Sequence, residues 1–354
     1  MLVLIRRCSE MKDNTTIEDV ANHADVSKST VSAVINNRDV VKETTRQRVL
    51  DAIETLNYRP RGSARRGFKS PTGQSIGFLI KESDNPYYSE VLTGIQEVAS
   101  EHGYLTFVSS SEGHLDDERQ IVKQFSNKDL NGLVITPILN DDTDLSHIFE
   151  LKRNNIPFVL LEDVQGIQAP LVDIDNVQAS SSAVRHLIEL GHERIVHFAG
   201  PKYSKHSDER IEGVRRAFSR SPLIFSNECV VRAGDSFQAG YETTLNYFAD
   251  TDDEPRPTAV TCYNDLVALG VMKGLREQGY TVPGDVSVVG FDDLNLLDYV
   301  STPLTTVHVP KREMGFRATE LLLQQIQGNG SSSPQRISLD AELIVRSSTA
   351  PPNA

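Results

Sequence analysis

Polar side chains suited to ligand binding follow several apolar runs of this sequence. Arg210 opens the stretch "RIEGVRRAF", and Asp292 follows the run "VSVVGF". Carboxylates accept hydroxyl protons, a guanidinium donates hydrogen bonds and aromatic rings cover apolar faces, so these residue types suit a polyhydroxylated molecule. The other candidates that come shortly after apolar runs are Ser83, Asp84, Tyr87, Tyr88, Asp175 and Asn264. For any one of them the alternative is structural, because a polar residue after a strand often caps a helix.

A second set of polar side chains lies in "DVSKSTVSAVINN", residues 25–37. In a helix, its apolar residues share one side and its small or polar residues occupy the other. Lys28 can reach a guanine or a phosphate, and Ser29 and Ala33 are small enough to let the backbone approach base edges. The short donors that suit phosphate oxygens are Ser27, Thr30, Ser32 and Asn36. We add Thr16, at the start of the preceding helix, to the candidate DNA-binding residues.

Three short helices must position this second set. Thr16 and Asp19 form a capping-box pattern, and Ile17, Val20 and Ala21 recur at helical spacing. The inward positions of the second and third helices are Val31, Val34, Ile35, Val49, Ala52, Ile53 and Leu56. Two helices joined by a tight turn, with a third behind them, form a helix-turn-helix whose second helix enters the major groove. An ordinary three-helix bundle is the alternative, because periodicity alone does not exclude it.

The charge of the chain is divided unevenly. Residues 1–70 hold 13 Lys and Arg against 9 Asp and Glu, whereas the remainder holds 23 against 40 and the whole chain carries −13. A basic head on an acidic body favours a polyanion as the partner of the head alone. Together with the predicted helix-turn-helix, the expected polyanion is double-stranded DNA. A solvated charged face is the alternative.

Length and composition limit the class of protein. A chain of 354 residues suits two or three domains. No apolar run approaches the roughly 18 residues of a membrane span, and "MLVLIRR" has the reverse order of a secretory signal. Cys8, Cys229 and Cys262 form no CxxC and no metal spacing, which is typical of a reducing compartment. We predict a cytoplasmic protein with no membrane partner.

Strand-like and helix-like runs alternate from residue 75 onward. This alternation predicts an α/β architecture of parallel sheets with helices on both faces, in two doubly wound lobes. Ligands bind beyond the carboxyl ends of such strands, which places a cleft between the lobes. The predicted divisions are a disordered extension 1–10, a helix-turn-helix domain 11–58, a hinge 59–74, an effector-binding and dimerisation domain 75–348 (lobe 1 about 75–176 and 304–330, lobe 2 about 177–303 and 331–348) and a disordered tail 349–354.

The predicted hinge, "RPRGSARRGFKSPTGQ", holds five basic residues and no acidic residue. Its proline and glycine content is typical of a linker. A flexible basic linker is the simplest interpretation of these residues.

Enzyme signatures do not occur in this sequence. It contains no GxxxxGK[ST], GxSxG, HExxH or GxGxxG. His192 and His197 are five residues apart, which does not place a metal pair on one helix face. We expect no enzyme, no cofactor and no metal site.

These segments resemble the LacI/GalR family of bacterial transcription regulators over nearly the whole chain. The head from Thr16 to Pro60 is similar to the family's DNA-binding head. "NPYYSEVLTGI", "ERIEGVRRAF", "GDVSVVGFDD" and "PLTTVHVP" are similar to its effector domain. The resemblance implies a small all-α helix-turn-helix head joined by a hinge to a two-lobed α/β domain of the periplasmic-binding-protein type.

The resemblance also implies roles for particular residues of the head and hinge. The family reads bases at the positions of Lys28 and Ser29, and Ala33 stands where many members have Arg. In the family the hinge folds on the operator and wedges a Leu into the minor groove. Ala64 and Arg65 match that pattern, and we hypothesise that Phe68 is the wedge.

In the effector domain, the resemblance assigns ligand contacts to residues from both lobes. Ser204 and His206 lie where the family varies its specificity residues, and Phe237 is displaced by one position from the family's aromatic residue. The positions that match ligand-contacting residues are Tyr87, Tyr88, Asp175, Arg210, Asn264 and Asp292.

The resulting prediction is a sequence-specific regulator, more often a repressor, that binds a palindromic operator as a homodimer. A small-molecule effector, a sugar or sugar derivative, is expected between the lobes. The dimer surface is expected around helices 87–102 and 116–130, and the tail lacks the leucine heptads of tetramers. The alternatives are a cytoplasmic sugar-binding receptor-like protein without regulated DNA binding, a transport receptor, and a regulator whose pocket has lost its ligand.

Overall fold

The computed structural model describes residues 16–35, 41–56, 74–127, 130–139, 144–249, 256–330 and 333–353. The chain divides into two compact units, Met1–Lys69 and Ser70–Ala354. Within the described ranges, no helix is long and apolar enough to cross a membrane.

The first unit contains three helices, α1 Ile17–His23, α2 Lys28–Ile35 and α3 Glu43–Thr55, as the sequence predicts. A capping box begins α1: the Asp19 N–H donates to Thr16 Oγ1 at 3.3 Å, and the Thr16 N–H donates to Asp19 Oδ2 at 2.7 Å. Asp25 has φ 50° in the turn between α1 and α2, a left-handed conformation for which Asp is one of the better residues. The buried core consists of Val20, Ala21, Ala24, Val31, Val34, Val49 and Ala52.

The first lobe of the second unit is a six-stranded sheet in the order β11-β5-β4-β3-β1-β2. Every pairing in it is parallel. Its strands are β1 Ser75–Ile80, β2 Leu105–Ser110, β3 Gly132–Ile135, β4 Phe158–Leu160, β5 Leu171–Ile174 and β11 Arg336–Leu339. Its helices are α4 Pro86–Glu101, α5 Leu115–Asn127, α6 Ser146–Arg153 and α11 Lys311–Ile326.

The second lobe is a six-stranded sheet in the order β12-β10-β9-β8-β6-β7. Among these described strands, only β12 runs antiparallel to its neighbour. The strands are β6 Ile195–Ala199, β7 Val230–Arg232, β8 Ala259–Cys262, β9 Ser287–Asp292, β10 Thr305–His308 and β12 Glu342–Ile344. The helices are α7 Asn176–Glu189, α8 Lys205–Ser219, α9 Phe237–Tyr247 and α10 Asp265–Glu277.

Helices cover both faces of each sheet because the central strands are apolar on both sides. In β1, Phe78 packs in one cluster with Ile95 of α4, whereas the next residue, Leu79, packs in another with Val122 of α5. This alternation is the two-residue period of a strand. The predicted α/β architecture of two doubly wound lobes is confirmed.

The lobe boundaries differ from the predicted ones near the C-terminus. Strand β10 belongs to the second sheet, not to lobe 1, and β11 belongs to the first sheet, not to lobe 2. The sequence "ISLDAELIVRS" looks like one strand, but Asp340 separates two short strands that pair in different sheets. The chain therefore crosses between the lobes at three places in the described residues, after β5, after β10 and after β11.

The C-terminal tail is ordered up to residue 353, and its predicted disorder is wrong. The Ala350 N–H donates to Ser287 Oγ at 3.0 Å, and the Asn353 side chain donates to the Gly284 carbonyl at 2.6 Å. His186 and Thr349 are also hydrogen-bonded, at 3.0 Å. The second lobe thus satisfies the polar groups of the tail, which a polar, proline-containing sequence does not reveal.

Candidate functional site

A cavity lies between the two lobes of the second unit, beside the crossovers that follow β5 and β10. Its cavity volume is about 50 Å³, smaller than the roughly 300–1,000 Å³ of typical small-molecule sites. Its charged lining residues are Lys81, Glu82, Glu162, Asp173, His206, Arg210, Asp235 and Asp292. Its aromatic lining residues are Tyr87, Tyr88 and Tyr263.

Arg210 and Asp292 form the centre of the cavity. Arg210 projects from α8, and its Nη2 lies 3.9 Å from Oδ1 of Asp292 at the end of β9. The Arg210 guanidinium stacks 3.6 Å from the ring centroid of Phe291 and donates to Asn176 Oδ1 at 3.1 Å. Asp292 has φ 112°, a conformation that is strained for a residue with a side chain and is common at ligand sites.

Burial makes the Asp292 carboxylate costly to ionise. It raises the pKa of Asp292 to about 6, against the opposing effects of Arg210 and Lys311. A hydroxyl donor from a ligand would stabilise the ionised form. The arrangement therefore offers one hydrogen-bond donor and one acceptor, side by side, to an entering molecule.

A buried ion pair, Lys81 with Glu162, forms another part of the wall. Lys81 follows β1 and Glu162 follows β4, so both come from carboxyl ends of the first sheet. Burial disfavours the charge on Glu162, but the attractions of Lys81 and His206 and their hydrogen bonds together outweigh it and lower the pKa of Glu162. Both charges are thus satisfied within the protein.

His206 and Asp173 form a third pair across the lobes, with His206 Nε2 3.1 Å from Asp173 Oδ2. Burial opposes protonation of His206, but Asp173 and Glu162 raise its pKa. Glu209 completes a group in which one polar atom of each residue lies within 4.8 Å of the others. Since Lys205 Nζ lies 3.6 Å from Glu209 and Asn176 donates to it at 3.2 Å, this group is an internal network of ion pairs and hydrogen bonds.

Six of the predicted effector-binding residues line the cavity: Tyr87, Tyr88, His206, Arg210, Asn264 and Asp292. Asn264 also caps α10, accepting from the Val267 N–H at 2.8 Å. Asn264 therefore both caps a helix and lines the cavity.

Five predicted residues are not among the lining residues. Ser83 and Asp84 are exposed, and Asp175 caps α7 by accepting from the Gln178 N–H at 2.8 Å. Ser204 is buried, and its Oγ lies 3.1 Å from the hydroxyl of the lining residue Tyr263. Phe237 is 38% exposed, and Lys273 Nζ lies 5.7 Å from the centroid of its ring.

Sequence reasoning missed several lining residues, among them Lys81, Glu82, Glu162, Asp173 and Asp235. The rule that ligands bind after strand ends points to the correct edge of the sheet. Lys81 and Glu82 are the first two residues after β1. The same rule would have identified them, but the predicted candidates begin only at Ser83. Asp173 lies inside β5, where the rule gives no signal.

In the first unit, the polar face of α2 is partly exposed to solvent. Lys28 and Ser29 are exposed, and Ser32 and Ala33 are half-buried. Lys28 Nζ lies 2.8 Å from Glu18, and Ser27 Oγ accepts from the Thr30 N–H at 3.2 Å, so Ser27 caps α2. The predictions for Asn36, Ala64, Arg65 and Phe68 fall outside the described residues.

The fold and the cavity define a two-lobed ligand-binding domain attached to a helix-turn-helix head. Residues 16–61 match the model of bacterial regulatory proteins of the lacI family, and residues 184–349 match that of the periplasmic binding protein-like domain. The HTH-type transcriptional repressor PurR of Photobacterium profundum is 33% identical over 94% of this chain and 98% of its own.

Two solved structures agree with these matches. A transcriptional regulator CelR–cellobiose complex aligns with a TM-score of 0.68 and 28% identity, covering 95% of this chain and 100% of its own. The lac repressor dimer bound to operator and the anti-inducer ONPF aligns with a TM-score of 0.68 and 27% identity, covering 95% and 99%.

The chain belongs to the LacI family of bacterial DNA-binding transcriptional regulators. The predicted family is thereby confirmed. The expectation that the chain is not an enzyme is also confirmed, because its relatives are transcriptional repressors.

Proposed function

We propose that this protein is a repressor that binds a palindromic operator as a homodimer and is controlled by a small polyhydroxylated effector, a sugar or sugar derivative. The observation that carries the proposal is the buried Arg210–Asp292 pair, which lines a cavity between two lobes. A ligand held by both lobes stabilises one relative position of the lobes over another. The effector must therefore bind the DNA-competent and DNA-incompetent forms with different affinity.

The chemistry of the lining supports a hydroxylated ligand. Asp292 accepts hydroxyl protons, Arg210 and Asn264 donate, and Tyr87 and Tyr88 offer ring surface. The CelR structure contains cellobiose. A carbohydrate effector for this chain is consistent with both observations.

The exposed face of α2 supports DNA binding by the head. We assign base contacts to Lys28, Ser29 and Ala33, and phosphate contacts to hydroxyl and amide donors of the same helix. Thr16, Ser27, Thr30, Ser32 and Asn36 complete this set. In the hinge we assign minor-groove contacts to Ala64, Arg65 and the wedge residue Phe68.

An apolar edge of the first lobe supports a dimer. Strand β2 is an edge strand in which Leu105, Phe107 and Val108 are 41%, 36% and 44% exposed. Exposed apolar edges favour association with another chain. A two-fold dimer would present two heads to the two halves of a palindrome. Because the DNA partner is the chromosome, a cytoplasmic location is part of this proposal.

The test is an operator selected from random DNA, followed by fluorescence anisotropy with the purified full-length chain. We expect log–log salt dependence with a slope of about −0.9 for each neutralised phosphate. A slope near zero would contradict DNA binding. A sugar panel added to the complex should change the anisotropy for the effector only, and Asp292→Ala should abolish that change while leaving operator affinity intact.

A further inference from the structure

The charges of the cavity do not balance, and the excess is negative. Five carboxylates and three basic side chains line it. Each basic side chain has one carboxylate partner: Lys81 pairs with Glu162, His206 with Asp173, and Arg210 with Asp292. Among the described residues, no ion pair within 4.0 Å includes the two remaining carboxylates, Glu82 and Asp235.

Glu82 and Asp235 come from opposite lobes and meet at one hydroxyl group. Glu82 follows β1 of the first lobe, and Asp235 lies between β7 and α9 of the second. The Tyr203 hydroxyl donates to Asp235 and lies 3.4 Å from Glu82 Oε1. The phenol has one proton and thus fully satisfies only one of the two carboxylates.

Burial raises the pKa of Glu82 to about 7 against the attraction of Lys81. The repulsion of Asp235 adds to the rise, and hydrogen bonds from the Tyr88 and Tyr203 hydroxyls oppose it. A neighbouring like charge disfavours ionisation because the two carboxylates repel. A cation between the two carboxylates would relieve this repulsion and favour the ionised form of both.

We propose that the effector carries a protonated amino group that binds between Glu82 and Asp235, while its hydroxyl groups bind Arg210 and Asp292. The ligand class is a hydroxylated amine, with amino sugars as its simplest members. An ammonium group has three N–H donors, which match Glu82, Asp235 and the oxygen of the Tyr203 hydroxyl. Sugar phosphates and sugar acids are disfavoured because they would add negative charge to a cavity that already has an excess of it. This inference rests on the proposed function of the same cavity.

The test is isothermal titration calorimetry of the full-length protein with matched sugars. The probes are glucosamine, galactosamine and mannosamine, each compared with its parent hexose, its N-acetyl derivative and its 6-phosphate. We expect an amino sugar to bind about 10- to 100-fold more tightly than its neutral parent, the range of a charge-assisted hydrogen bond. Binding of the amine should release protons near pH 7, since the ammonium group favours ionised Glu82.

Two variants and one control locate the contact. Glu82→Gln and Asp235→Asn should each weaken binding of the amine far more than binding of the neutral parent and so remove most of the preference for the amine. Asp84→Asn is the matched control, because Asp84 is an exposed carboxylate two residues from Glu82. It should retain the preference. Since each variant carries an isosteric amide, either can serve if the other folds poorly.

The outcomes separate this inference from the proposed function. If a neutral or anionic sugar binds, depends on Arg210 and Asp292, and outcompetes every amine, the function stands and the amine inference is overturned. If amines bind equally well to Glu82→Gln and Asp235→Asn, the inference is also overturned. If no member of any class binds, both proposals are contradicted for this panel of effectors.

Discussion

The DNA-binding head and the inter-lobe cavity both use polar side chains, but the head leaves them in water and the cavity buries them. In the head, the side chains of Lys28 and Glu18 are 57% and 61% exposed although they pair at 2.8 Å. In the cavity, the side chains of Arg210 and Asp292 are each 6% exposed. Exposed pairs contribute about 0–1 kcal/mol, whereas removal of one partner of a buried pair costs about 3–5 kcal/mol.

This difference predicts how the two regions respond to substitution. A change on the head should alter DNA affinity and leave the fold nearly as stable as before. A change in the cavity should alter both effector response and stability, because the same buried charges form ion pairs within the protein and are proposed to contact the ligand.

Arg210→Met should produce the largest effect, a loss of about 3–5 kcal/mol in the free energy of unfolding. The substitution keeps apolar contact with Phe291 but leaves Asp292 buried beside no guanidinium. Urea unfolding at neutral pH measures it. Arg215→Met is the control on the same helix, because Arg215 pairs at the surface with Glu212. Equal losses in the two variants would remove the contrast between buried and exposed pairs.

Glu82→Gln should stabilise the protein in the absence of effector, in the opposite direction. The native carboxyl keeps its proton up to a pKa of about 7, against an ordinary value of 4.5 in the unfolded chain. The native state thus binds more protons between these values, so its stability falls as the pH rises through them. Glutamine removes this loss, and its advantage should grow from none near pH 4 to at most about 3 kcal/mol near pH 8. A pH series of urea unfolding, with Asp84→Asn as control, measures it. A destabilised variant at pH 8 would show that ionised Glu82 serves the fold.

Lys28→Ala should change DNA affinity by about 1–3 kcal/mol without a change in thermal stability. Within the described residues, Lys28 forms an ion pair only with the exposed Glu18, so its amino group is available to DNA at little cost. A phosphate contact predicts uniform weakening and a salt slope reduced by about 0.9, whereas a base contact predicts relaxed specificity at one position. Anisotropy titrations on the operator and on scrambled DNA distinguish the two. Lys152→Ala, an exposed lysine on α6, should change neither.

Local patterns allowed most of the fold to be predicted from the sequence. The strands and helices follow from apolar runs and helical periodicity, and the capping box of Thr16 and Asp19 is complete within four residues. The assignment of β10 and β11 to their sheets was not predictable in this way. Their partners are distant in sequence, and the choice of sheet depends on where the chain crosses between lobes.

The cavity shows the same limit. Arg210 and Asp292 could be identified because each stands at a recognisable motif. Glu82 and Asp235 are 153 positions apart in the sequence. They lie close together because the two sheets place their loops beside the Tyr203 hydroxyl. No spacing along the chain encodes that meeting. The charge excess of the cavity therefore emerges only when the ion pairs are assigned in three dimensions.

Thr16→Ala should produce the smallest effect and separate stability from DNA contact within the head. The hydroxyl caps α1 by accepting from the Asp19 N–H at 3.3 Å, and loss of such a cap costs about 1 kcal/mol. Amide hydrogen exchange in α1 should accelerate about fivefold, because that cost lowers the free energy of local opening. Thr16→Ser keeps the hydroxyl and should exchange like the wild type. If exchange is unchanged in Thr16→Ala while operator affinity falls, Thr16 contacts a phosphate and does not stabilise the helix. The polar side chains of the head would then serve DNA binding and not the stability of the fold.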